Sequence, residues 1–212
     1  MSSYLLTFLC VANIFCKVIV FDWHGVIANF SKTRAISSFY QMDNKFNFFK
    51  NLYKFTKRGV IQKQSEWRSI TNALNKDQND DVYAVINSHK LNPEMVEIIH
   101  YLHKKNYALA LFSNVDKDSL EWLANQNLQV KGLLTLFTLI WTPSIENGYL
   151  RKSDTKAYTD FLKKFKETFD EQELIFIDDS KSKIKLAQKN GIKTYHFKSA
   201  AKFKDDLDKI IN

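Results

Sequence analysis

A chain of 212 residues, 45% hydrophobic and 25% charged, has ordinary globular composition and the length for one core with a modest insertion, which excludes wholesale disorder and a multidomain assembly. Only 5 Gly and 2 Pro exclude collagen-like and turn-dense small β architectures and leave room for long helices. Lys and Arg outnumber Asp and Glu by 31 to 23, a net charge of +8, and residues 28–90 hold most of the excess, with eleven basic against five acidic side chains. No basic run there exceeds Lys57-Arg58, so the surplus reads as a solvated face and no nucleic-acid partner is expected.

Both cysteines, Cys10 and Cys16, precede Lys17, so the body of the chain has no thiol for a disulfide, a zinc knuckle or a cysteine nucleophile. Residues 1–16 form an apolar leader: Tyr4 to Cys16 is uncharged, too short for a stable membrane span and about the length of a secretory core segment. No Lys or Arg precedes it, and Cys10-Val11-Ala12 is only a tolerable cleavage site. Two readings stand. A cleaved signal would place the protein outside the cell; an extra packing segment would leave it cytoplasmic by default.

Lys17 to Asp22 is a short apolar run ending in a carboxylate, the pattern of a strand buried on both faces of a parallel sheet. Residues 28–90 then read as a mainly helical insertion with no period-2 segment, interrupting a core formed by 17–27 and 91–212. Asn92-Pro93-Glu94 is an N-cap, a first-turn proline and an acidic first turn, opening a helix that carries Met95, Ile98, Ile99 and Leu102 on one face. Ala108 to Phe112 is a second buried strand, with a helix over Lys117 to Gln126. Leu139 to Thr142 is a weaker strand, followed by a helix from Asp154 to Phe165. Leu174 to Ile177 is a strong strand, and Lys181 to Asn190 a helix closed by Gly191. Thr194 to Phe197 and Ala200 to Ile211 finish as strand and helix.

This alternation predicts an α/β fold, a three-layer Rossmann-like parallel sheet with helices on both faces, in which ligands bind at the carboxyl ends of the strands. Asp22, Ser113, Asn114, Asp178 and Asp179 all follow apolar strands, so one crevice can collect them.

In this order the residues resemble the haloacid dehalogenase (HAD) superfamily, in its phosphoglucomutase-like and dehalogenase-like branch with a helical cap. Phe21-Asp22-Trp23-His24-Gly25-Val26 is similar to the first motif, Phe112-Ser113-Asn114 to the second, Lys152 to the family lysine before a helix, and Ile177-Asp178-Asp179-Ser180 to the acidic fourth motif. The resemblance implies a Mg²⁺-dependent hydrolase, a phosphatase acting on a small phosphorylated metabolite. Asp22 would attack phosphorus to give an aspartyl-phosphate that water hydrolyses. Asp22, the backbone carbonyl of His24 and Asp178 would hold Mg²⁺, with Asp179 beside them. Ser113, Asn114 and Lys152 would bind the transferring group and offset its charge.

Three positions depart from the family pattern. His24 stands where its phosphatases carry a second Asp as general acid and base, Ser153 where a Pro usually follows the lysine, and Lys183 where Asn is common. An imidazole can still transfer protons. The swap leaves two alternatives to a phosphatase: a degenerate member that binds a phosphorylated ligand without turnover, and a dehalogenase or phosphonate-cleaving member, since those relatives also lack the second Asp. A dehalogenase needs no metal, and the Asp178-Asp179 pair argues against that one. The other histidines, His89, His100, His103 and His196, show no metal-ligand spacing at a strand end and read as core or surface residues.

Overall fold

The computed structural model describes residues 17–31, 88–170 and 172–211. The leader 1–16 and residues 32–87, the bulk of the expected helical cap, lie outside them. In chain order the elements are β1 (Lys17–Phe21), β2 (Ala28–Phe30), β3 (His89–Leu91), α1 (Pro93–Lys104), β4 (Ala108–Phe112), α2 (Lys117–Gln126), α3 (Leu128–Leu134), β5 (Leu139–Trp141), α4 (Thr155–Phe169), β6 (Glu173–Asp178), α5 (Lys181–Lys189), β7 (Lys193–His196) and α6 (Ala200–Ile211).

Five of the strands form one parallel sheet in the order β5-β4-β1-β6-β7. β1 lies at its centre, with Val20 opposite both Ala110 of β4 and Phe176 of β6. Successive side chains of a strand point to opposite faces, and here both faces are covered. Ile19 and Phe21 join α1, α2, α3 and α6 in one apolar cluster, whereas Val18 and Val20 join α4 and α5 in the other. Burial on both sides explains why β1 reads as a continuous apolar run rather than an alternating one. The chain leaves β1 toward β4 on one side and reaches β6 on the other, so a crevice opens at the carboxyl ends of these three strands.

Local signals place the helices. Asn92 caps α1 by accepting from the Met95 N–H at 3.4 Å, and Asp116 and Asp154 cap α2 and α4 in the same way. Gly191, at φ 76°, supplies the left-handed residue that ends α5. Phe112 locks the end of β4: its ring stacks on Phe161 at 4.3 Å and meets Trp141 and Tyr158 edge-on at 4.9 and 5.1 Å. Ser113 and Asn114 therefore leave the sheet from a rigid point.

Three features depart from the sequence-based expectations. Residues 28–30 and 89–90, which fall at the two ends of the expected helical insertion, form with Leu91 two short strands paired antiparallel, with Ala28 opposite Leu91 and Phe30 opposite His89. Three residues are too few to display a period of two, and the pairing closes across a separation that local patterns do not register. α3 was unannounced, because Gly132 and the short run LQVKGLL give no helical period. α4 runs one turn beyond its expected end, to Phe169, extending the stripe Ala157, Phe161, Phe165. Among the described residues no helix is long and apolar enough to cross a membrane.

Candidate active site

Strand pairing carries one residue past β1, since the Asp22 N–H donates to the Ile177 carbonyl at 2.9 Å. The chain then turns tightly: the Trp23 carbonyl accepts from the N–H groups of Ile27 and Ala28, and the Gly25 N–H donates to Ala28. Gly25 is required here, having φ 80° and the Asp179 carboxylate in the space that a Cβ would fill. Among the described residues the backbone bonds of this turn use the Trp23 and Ala28 carbonyls and not that of His24.

Two donors converge on Asp22 Oδ1, the Trp23 N–H at 2.7 Å and the Ser113 hydroxyl at 2.8 Å, and the Lys152 ammonium forms an ion pair with the same oxygen at 2.7 Å. They fix the carboxylate plane. The same ammonium lies 2.7 Å from Asp178 Oδ2, and Asp178 Oδ1 accepts from the Ser180 N–H at 2.8 Å. Lys152 is only 1% exposed and Asp178 fully buried, so one cation bridges two carboxylates away from bulk water. Burial pushes the Asp178 carboxyl above the usual carboxylate range, Lys152 pulls it back and the Asp22 charge adds to the rise. Burial, then Asp178, raises Asp179 as well.

Residues 156 positions apart are thus joined, as the strand-end pattern predicted. Carboxylate oxygens of Asp22, Asp178 and Asp179 lie within 4.8 Å of one another, and Asp179 is open to solvent. This donor set suits a hard divalent cation such as Mg²⁺, which takes one to three protein oxygens and completes its octahedron with water and phosphate. The three acids carry more negative charge than Lys152 balances.

Two connections escaped sequence reasoning. Asn114, expected to contact substrate, accepts from the Lys152 N–H at 2.7 Å and so tethers the lysine loop to the end of β4. The buried Tyr158 hydroxyl lies 3.1 Å from the Lys152 carbonyl and 3.3 Å from that of Lys183. Tyr158 is the one hydroxyl in an otherwise phenylalanine stripe, and that oddity was the available signal.

His24 sits at the edge of the site. Its ring lies 4.3 Å, centroid to centroid, from that of His89 on β3, with planes 32° apart. The insertion hides this contact from any local pattern. Among the described residues His24 Nε2 is enclosed without a hydrogen-bond partner, and burial, then the Lys152 charge, lowers its pKa to about 4.

A family model for haloacid dehalogenase-like hydrolases matches residues 16–191, most of the chain. The protein belongs to that family. Solved structures agree in fold. The HAD family enzyme BT-2542 of Bacteroides thetaiotaomicron is 22% identical, with a TM-score of 0.63 over 86% of this chain and 93% of that one. A HAD-like hydrolase of Porphyromonas gingivalis is 18% identical, with a TM-score of 0.59 over 93% and 98%. An archaeal β-phosphoglucomutase from a Pyrococcus strain is 18% identical, with a TM-score of 0.51 over 86% of each chain. No curated protein matches the sequence. Within this HAD-like hydrolase the four motif segments meet at the carboxyl ends of β1, β4 and β6.

Proposed function

We propose that this HAD-like hydrolase is a Mg²⁺-dependent phosphatase that cleaves a small phosphorylated metabolite through an aspartyl-phosphate on Asp22. The observation that carries the reading is the convergence of Asp22, Asp178 and Asp179 around Lys152 at the strand ends. Structures of the similarly folded BT-2542 hold magnesium and inorganic phosphate, which supports the same ligands here.

Asp22, Asp178 and the His24 carbonyl would hold the cation, with Asp179 alongside; bound there, it lowers the repulsion between carboxylate and phosphate and polarises the phosphoryl oxygens. The protein residues do the rest. Ser113 and the Trp23 N–H hold Asp22 in one orientation, so its carboxylate meets phosphorus without a rotational search. A bond forms between an Asp22 carboxylate oxygen and phosphorus as the bond to the leaving oxygen breaks, and that oxygen takes a proton from solvent water. Lys152 offsets the charge on the transferring group. Water then attacks phosphorus, loses a proton, releases inorganic phosphate and restores Asp22.

Binding without turnover is a second reading, favoured by the enclosed, neutral His24 in place of an acid. One experiment separates the two. Purified protein is incubated with sugar and nucleotide phosphates, with and without Mg²⁺, beside Asp22→Asn. Phosphate release that needs Mg²⁺ and disappears in the variant supports the phosphatase. Binding of the same compounds with no release supports the second reading, and halide release from a 2-haloacid without metal overturns both.

A further inference from the structure

Tyr158 carries a buried hydroxyl for which the reaction above has no use. It interrupts the phenylalanine face of α4, meets Phe112 edge-on with ring centroids 5.1 Å apart, and is fully buried. Burial, then the charges of Asp178 and Asp22, raises its pKa above the ordinary tyrosine value, so the hydroxyl keeps its proton and remains a donor. A phenol has one hydrogen to give, yet two carbonyls face it, that of Lys152 at 3.1 Å and that of Lys183 at 3.3 Å. A phenylalanine would fill the same space without taking a polar atom into the core. What the hydroxyl holds is therefore what distinguishes tyrosine at this position.

Both carbonyls belong to segments that carry the site. The Lys152 backbone is gripped on each side, with Asn114 Oδ1 accepting from its N–H at 2.7 Å and Tyr158 donating to its carbonyl. The next residue is Ser153 and not proline, so no ring restricts this backbone and the two hydrogen bonds supply the restraint. Lys183 lies in the first turn of α5, directly after the loop in which the Ser180 N–H donates to Asp178 Oδ1 at 2.8 Å. One hydroxyl thus registers the lysine loop against the acidic loop. The ammonium that lies 2.7 Å from both Asp22 and Asp178 starts from a fixed backbone.

Building on the phosphatase reading, we infer that Tyr158 is a positioning residue for the reaction: its hydroxyl clasps the Lys152 and Lys183 carbonyls and so sets where the Lys152 ammonium stands between Asp22, Asp178 and the transferring phosphoryl group. The hydroxyl acts through Lys152 and not on the substrate. The lysine charge counts most as negative charge shifts during transfer, so loss of the clasp falls on kcat more than on KM.

Tyr158→Phe removes the oxygen and keeps the ring. With Mg²⁺ and p-nitrophenyl phosphate, its kcat should fall about tenfold or more while KM changes little. Phe165→Leu is the control on the same buried helix face, where Phe165 packs on Phe161 and Phe169; it should lower the melting temperature and leave kcat unchanged. The readout that a purely structural role would not move is the Lys152 ammonium, followed by magnetic resonance on protein with nitrogen-labelled lysine and assigned by its loss in Lys152→Arg. Buried between two carboxylates, it should exchange its protons slowly in wild type and in Phe165→Leu, and about tenfold or more faster in Tyr158→Phe. A wild-type ammonium that exchanges like that of an exposed lysine, equal exchange in wild type and Tyr158→Phe, or equal acceleration in Phe165→Leu overturns the clasp. An unchanged kcat in Tyr158→Phe overturns it too and leaves the phosphatase standing. Should wild type release no phosphate, the phosphatase reading fails, and the exchange rates alone decide the clasp.

Discussion

Asn114 accepts a hydrogen bond at 2.7 Å from the backbone N–H of Lys152, 38 residues further along the chain. Since Ser113 donates to Asp22 and the Lys152 side chain pairs with Asp22 and Asp178, this bond makes the loops after β4 and before α4 a single frame around the carboxylates. The lysine is positioned through its own backbone rather than only through its charge.

Asn114→Ala should therefore act on catalysis more than on stability. Losing the bond costs about 1 kcal/mol of folding free energy, whereas a shift of the ammonium by an ångström lowers kcat/KM up to about 100-fold. Urea denaturation and phosphate-release kinetics on the same preparation check the split. A variant with unchanged kinetics would show that the tether does not set the position of the lysine.

Lys152→Met leaves two neighbouring carboxylates without their cation. Breaking such a buried pair costs roughly 3–5 kcal/mol, because Asp22 and Asp178 then repel each other away from water. A divalent cation should replace part of what is lost, so Mg²⁺ is expected to raise the melting temperature of the variant more than that of the wild type. Calorimetric scans with and without Mg²⁺ test this. Equal increments in the two proteins would argue that the metal does not bind at these acids.

The parallel sheet and the convergence of Asp22 and Asp178 were legible in the sequence because each site residue follows an apolar run, and such runs become strands buried on both faces. Connections that skip along the chain were not. The contact of His24 with His89 spans nearly the whole insertion, and the bond between Asn114 and the Lys152 N–H joins two loops 38 residues apart with no local signal for it. β2 and β3 are too short to carry a period, so only their mutual pairing defines them. Lys183 is visible as a departure from a family motif, but the bond that its carbonyl accepts from the Tyr158 hydroxyl comes from α4 and has no local signal.

Gly25→Ala should damage the metal site through sterics alone. The residue needs φ 80°, and the new methyl group must displace the Asp179 carboxylate. Strain of this kind costs of order 1–3 kcal/mol, and moving Asp179 should weaken Mg²⁺ binding as well. Isothermal titration of Mg²⁺ into wild type and variant reads the second effect. Identical affinities would place Asp179 outside the metal site.

Between the edge strand β7 and α6, Asp206 accepts from Lys202 at 2.9 Å and from the Tyr195 hydroxyl at 3.0 Å. Lys202 first, then Tyr195, holds its carboxyl below the usual value. The native state thus binds this proton less readily than the unfolded chain, so the stabilisation is complete above the unfolded pKa of about 4 and fades as pH falls through the lower native value. Asp206→Asn should melt earlier than wild type at pH 7, and the gap should close toward pH 2. A gap independent of pH would mean that the carboxylate charge contributes nothing.

His24 bears on which esters are hydrolysed. With a pKa lowered to about 4 it is neutral at pH 7, and a cation beside Asp22 would lower it further. With so low a pKa the imidazole is a weak base and carries no proton to donate at pH 7, so alkyl esters, whose leaving oxygen needs a proton, should be slow. Aryl esters, which leave without one, should be fast. His24→Asp restores the carboxyl acid of the family pattern and should raise kcat/KM for an alkyl phosphate about tenfold or more while changing that for p-nitrophenyl phosphate much less. Parallel assays of the two esters at pH 7 decide it. If His24→Asp loses activity on both alike, the imidazole serves the reaction in some way other than as a weak donor to the leaving group.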